Sequence, residues 1–79
     1  MISAYILISL APGETDKIIY KMRKIESIAK ISVVAGDFDV VVRAQVEKLE
    51  ELLKVTNKIQ MIKGVKGTTT QVIEKELTS

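Results

Sequence analysis

The chain has no cysteine, no histidine and no tryptophan, and a single proline. Without cysteine it forms neither disulfides nor thiolate metal sites. Without histidine it lacks the commonest metal ligand and the commonest general base near neutral pH. Aromatic residues are scarce, being only Tyr5, Tyr20 and Phe38. With no reading motif beside them, they give no nucleic-acid surface. The net charge of +2 comes from 12 basic and 10 acidic residues scattered along the chain, a weak attraction for phosphate. Gly64 and Gly67 sit beside lysines but make no Walker pattern. The apolar start, MISAYILISLAPG, has no basic segment ahead of it and is stopped by Pro12-Gly13. It reads as a strand, not as a signal peptide or a membrane span. These absences set the expectations of no cofactor, no metal, no membrane partner, no direct nucleic-acid partner and a cytoplasmic location.

What is present is a short, apolar chain. Its 79 residues make a single domain, 1–79, and 47% of them are hydrophobic. A domain this small buries a modest share of its surface and is marginal alone. With disulfides and metals excluded, association with other chains is the remaining supplement.

Residues 2 to 11 form a strand, with Ile2, Ala4, Ile6, Ile8 and Leu10 on one face and Ser3, Tyr5, Leu7 and Ser9 on the other. Residues 14 to about 24 read as a helix with the stripe Ile18, Ile19, Met22 and Ile25. Glu14 and Asp16 suit its positive end, and Arg23 and Lys24 its negative end. Lys17, Lys21 and Lys24 form a solvated face opposite the stripe. Residues 28–35 and 40–46 are two more strands, separated by Gly36-Asp37-Phe38-Asp39. Residues 47–60 read as a second helix with Leu49, Leu52, Leu53, Thr56 and Ile59 on its stripe. A Lys/Gly-rich link then leads to a last strand at about 68–77, where three consecutive threonines favour extended backbone.

The order is β-α-β-β-α-β, two β-α-β halves joined at the Gly36-Asp37 turn. "KIESIAKISVV" and "KIQMIKGVKGT" echo each other at a period of roughly 35 residues. Right-handed crossovers place both helices on one face of a four-stranded antiparallel sheet. That is the α+β ferredoxin-like βαββαβ sandwich. Its second sheet face is uncovered, yet strand one is apolar on both sides, and Val34, Val41, Val72 and Ile73 add branched apolar residues nearby. An exposed apolar face of this kind marks an association site, so a sheet-to-sheet homodimer of the dimeric αβ-barrel type is expected.

The strand "AYILISLAPG", the turn "AGDFDVVVRAQV", the helix from "EKLEELL" and the terminal "IKGVKGTTTQVI" resemble, in order and spacing, the effector-binding (RAM) domain of Lrp/AsnC regulators. The matching pieces are Pro12-Gly13, Gly36-Asp37-Phe38-Asp39, and Gly64-Val65 with Thr68 and Thr70. The chain begins at the first strand of that domain, so the resemblance implies a stand-alone form without the helix-turn-helix module. The turn aromatic, often Tyr in the family, is Phe38 here, so a phenolic hydroxyl is missing. The resemblance further implies dimers formed through the open sheet faces and assembled as an octamer. A free amino-acid effector would bind between dimers, in a pocket lined by the Gly-Asp turn and the Thr-bearing strand. Full-length Lrp-like regulators are then candidate partners. The expected ligand-binding residues are Gly36, Asp37, Phe38, Asp39, Thr68 and Thr70.

The chemistry fits those residues. Glycine lets a ligand approach the backbone, and successive turn amides can hold a carboxylate. Asp37 or Asp39 can accept from an ammonium group. Thr68 and Thr70 point to the same side of their strand and carry hydroxyls. Each residue also has a plain structural role, as a hairpin turn or as strand-favouring threonine. A purely structural interaction module and a small dimeric αβ-barrel enzyme remain alternatives. The enzyme lacks a supporting constellation of side chains, so no catalytic residue is assigned.

Overall fold

The computed structural model describes residues 1–79. The elements are β1 (Ile2–Leu10), α1 (Thr15–Met22), β2 (Ile28–Val33), β3 (Val40–Val46), α2 (Leu49–Gln60) and β4 (Val65–Val72). They form one sheet in the order β2-β3-β1-β4, with every neighbouring pair antiparallel. This is the ferredoxin-like βαββαβ sandwich. No helix is long and apolar enough to cross a membrane.

Alternation along the two central strands builds the core floor. Ile2, Ala4, Ile6 and Ile8 of β1 stand opposite Val46, Ala44, Val42 and Val40 of β3. All but Ile2 are buried, and Ile2 packs against them half-buried. Ile18 and Met22 of α1, with Leu52, Val55 and Ile59 of α2, complete the same cluster, so both helices cover one face.

Several boundaries differ from the sequence expectation. The α2 stripe is Leu52, Val55 and Ile59, whereas Leu49 and Leu53 are 55% and 62% exposed. The inward arc is therefore turned by about 60° toward Val55, given 3.6 residues per turn. Helix α2 starts two residues later than expected, at Leu49, because the Glu51 carboxylate accepts a hydrogen bond from the Lys48 N–H (3.1 Å) and closes its first turn. Strand β4 runs from Val65 to Val72 rather than 68–77. It starts early because Val65 already faces Leu10, past an irregularity at Ser9/Leu10. It stops early, with Val72 opposite Ala4, and the last bond along this edge is from the Ile73 N–H to the Ser3 carbonyl (2.8 Å).

Gly64 makes this turn possible. Its φ is +101°, and a Cβ there would lie 2.8 Å from Ile18 Cδ1 and 3.3 Å from Glu14 Cβ. Its carbonyl accepts from the Ala11 N–H at 2.7 Å, tying the β4 entry to the end of β1. Gly13 also has a positive φ, +81°, but open space around it. Gly64→Ala should therefore destabilise by about 2–4 kcal/mol, from left-handed backbone plus overpacking against Ile18. Gly13→Ala should cost about 1–2 kcal/mol from backbone alone. Urea denaturation of both variants checks the ordering.

Candidate ligand-binding site

The β2–β3 turn is pinned to the central strand. The Val34 N–H donates to the Asp39 carbonyl (3.0 Å), and the Asp39 N–H donates to the Ile8 carbonyl (3.0 Å). The Asp39 carboxylate in turn accepts from the Leu10 N–H (2.8 Å, through Oδ2). Leu10 lies two residues beyond Ile8, where the pairing of β1 with β3 ends. Asp39 therefore supplies an acceptor on a neighbouring strand. The sequence had suggested either a ligand ammonium or the turn's own amides as its partner.

Asp37 differs. It is exposed, and its carboxylate has neither a hydrogen-bond nor an ion-pair partner in the chain. The N–H groups of Gly36, Asp37 and Phe38 donate to no backbone carbonyl. Gly36, at φ +141°, is exposed with open space around it, and Phe38 is half-buried. The turn thus presents unpaired amides beside an unpaired carboxylate.

Thr68 and Thr70 stand opposite Ile8 and Ile6 of β1, so they share the helix-covered face. Their hydroxyls line the seam between β4 and α2. Thr68 Oγ1 accepts from Gln60 Nε2 (2.8 Å), which leaves its own proton free to donate. Thr70 Oγ1 lies 3.5 Å from Thr56 Oγ1, and Thr56 donates to the Leu52 carbonyl (3.1 Å).

The turn and Thr68 belong to the same end of the sheet. Asp39 is bonded to β1 at Ile8 and Leu10, and Thr68 faces Ile8 from the opposite edge. Strand β1 lies between them, so they stand about 10 Å apart, two strand spacings. Within one chain the six expected residues do not close around a common cavity. The concavity bordering Thr68, about 240 Å³, is lined by Gln60, Val65, Lys66 and Gly67. Gln60 and Lys66 are polar groups beside the expected site that sequence reasoning did not single out. The only available signal was the lysine-flanked glycine link.

The chain's one ion pair lies elsewhere, on the open sheet face. Arg43 Nη2 donates to Glu76 Oε1 at 2.7 Å, and Tyr5 Oη donates to Glu76 Oε2 at 3.4 Å. The hydrogen bond from Arg43 holds the Glu76 carboxyl below the usual glutamate range, against the opposing effect of desolvation. The same bond raises the Arg43 guanidinium further.

A βαββαβ sandwich with free polar groups on its β2–β3 turn and hydroxyls along its β4 edge has the makings of a small ligand-binding domain. The chain belongs to the Lrp/AsnC ligand binding domain family, whose sequence model matches residues 3–79. The HTH-type transcriptional regulator FL11 of Pyrococcus furiosus is 32% identical over 74 residues, 94% of this chain and 49% of the relative. A homocitrate synthase of Sulfolobus acidocaldarius is 29% identical over 63 residues, 80% of this chain and 14% of the enzyme. The chain thus spans about half the length of the curated regulator it matches, and a small part of the enzyme. Among solved structures, a feast or famine regulatory protein from M. tuberculosis, complexed with L-methionine, superimposes with a TM-score of 0.85. It is 24% identical, and the match covers 100% of this chain and 54% of that one.

Two expectations follow from the geometry. Asp39→Ala strands the half-buried Leu10 N–H and should cost about 1–3 kcal/mol, whereas Asp37→Ala should stay within about 0.5 kcal/mol; urea midpoints compare them. Glu76 is a depressed carboxylate, so the tail's hold on Arg43 is complete above the ordinary glutamate range. It is lost as pH falls through the depressed value. A carboxyl NMR titration should find the Glu76 midpoint below that range, returning to it in Arg43→Gln.

Proposed function

We propose that this domain is an amino-acid sensor that associates through its open sheet faces and regulates by changing how it assembles. The observation that carries the reading is the division of labour in the β2–β3 turn. Asp39 is engaged by β1, while Asp37 and three turn amides remain free. A free amino acid presents the complementary set. Its carboxylate suits the amides of Gly36, Asp37 and Phe38, and its ammonium suits Asp37. Phe38 offers an apolar surface beside them. Thr68 and Thr70, about 10 Å away across β1, would contact the effector from a neighbouring subunit. A site completed between dimers, in an octamer of four dimers, accounts for their separation within one chain.

Membership of a ligand-binding family supports a small-molecule effector, and the M. tuberculosis relative crystallised with L-methionine supports an amino acid. The domain's likeness to parts of both a transcriptional regulator and a homocitrate synthase supports a sensing unit whose output depends on what it joins. Full-length Lrp/AsnC regulators in the cytoplasm are the proposed partners. An effector shifts assembly only by the difference in its affinity for two oligomeric states.

Calorimetry against the twenty amino acids, with oligomer size measured alongside, tests the proposal. At least one amino acid should bind with Kd between about micromolar and millimolar, or about 4–8 kcal/mol. Asp37→Ala and Thr70→Val should each weaken it at least about tenfold, roughly one charge-assisted or neutral hydrogen bond. Unchanged affinity in both variants would refute this site.

A further inference from the structure

The open sheet face carries a row of charge that the proposed ligand site does not use. Tyr5 of β1, Arg43 of β3 and Lys30 of β2 are direct neighbours across three strands. None of the strand residues sharing this face is acidic. The counter-charge comes from beyond β4. After the Ile73–Ser3 bond the chain leaves the ladder, and the Glu76 carboxylate meets the side chains of Tyr5 of β1 and Arg43 of β3 on the open face.

We propose that residues 73–79 form a counter-ion strap that is part of the interface between two copies of this chain packed sheet to sheet, with Glu76 neutralising Arg43 inside it. This rests on the dimer reading given under Proposed function. A two-fold interface brings the same patch of each copy together. Here it would set two Arg43 and two Lys30 side chains against each other. Like charges so placed oppose association, and a guanidinium taken out of water without a partner is heavily penalised. One Glu76 from each tail halves the charge and keeps each Arg43 hydrogen-bonded. The Arg43 side chain is already mostly covered, at 20% exposure, while that of Glu76 is 48% exposed and available to a facing subunit. Leu77, next to Glu76, is 81% exposed, an apolar residue left in water by the single chain. Leu7 and Val41, paired beside the charged row and half-buried, supply apolar surface for it to join. A lid that kept copies apart would not be expected to leave its own leucine outward.

The test is a dilution series by sedimentation equilibrium at low salt. It compares the wild-type chain, Glu76→Gln and the double variant Arg43→Gln/Glu76→Gln. The wild type should be dimeric at micromolar concentration. Glu76→Gln should raise the dimer Kd at least about tenfold, the order of one lost charge-assisted hydrogen bond. The double variant, with no unpaired guanidinium, should recover most of that loss. A wild-type dimer that Glu76→Gln leaves unchanged or tightens overturns the strap and leaves the dimer standing. Weakening without recovery in the double variant overturns the counter-ion role. A wild-type chain monomeric throughout overturns the dimer and the strap with it.

Discussion

The structure depends on what strand β1 must satisfy at once. It pairs with β3 on one edge and β4 on the other, and it buries Ala4, Ile6, Ile8 and Leu10 beneath both helices. A central strand has no free edge, so each of its amides needs an acceptor from a neighbour. At Leu10, two residues past the last β1–β3 pair of Ile8 and Val40, that acceptor is a side chain, the carboxylate of Asp39. The β2–β3 turn is thereby fixed against the end of the sheet, and Asp37 and the free amides beside it are presented outward.

The same strand separates the two halves of the candidate site. The turn reaches β1 from the β3 side, and Thr68 and Thr70 face it from β4. Two strand spacings exceed the span of an amino-acid backbone, which a ligand must bridge with groups close together. A site using both sets would therefore need a second chain, as proposed above. This also explains why the cavity beside Thr68 is lined by Gln60 and Lys66 and by none of the turn residues. Helix α2 contributes Gln60 and Thr56 to the seam because its inward arc is turned toward Val55, which swings its polar flank over β4.

The open face is less apolar than alternation alone suggests. Leu7, Val41 and the edge of Tyr5 are interrupted by Arg43 and Lys30, and Val72 belongs to the helix side, opposite Ala4. A wholly apolar face would associate without register, whereas charges confined to one row penalise mismatched partners. The tail that supplies Glu76 falls within the strand expected at about 68–77 on the strength of its three threonines. It leaves the ladder after Ile73 although β1 runs on to Ile2, still paired with β3, and its Glu76 is held instead by Arg43 and Tyr5.

The sequence by itself determined the element order, the sheet faces of β1 and β3 and the family pattern, because these follow from periods of 2 and 3.6 and from turn residues local to each segment. It also nominated both aspartates of the turn, without separating them. Only the tertiary structure decided that Asp39 serves Leu10 while Asp37 stays free, that α2 rotates toward Val55, that β4 spans 65–72, and that Glu76 returns to Arg43. Each of these depends on which strand end lies beside which, and a hydrogen bond between residues 29 or 33 positions apart leaves no periodic mark in the chain that makes it.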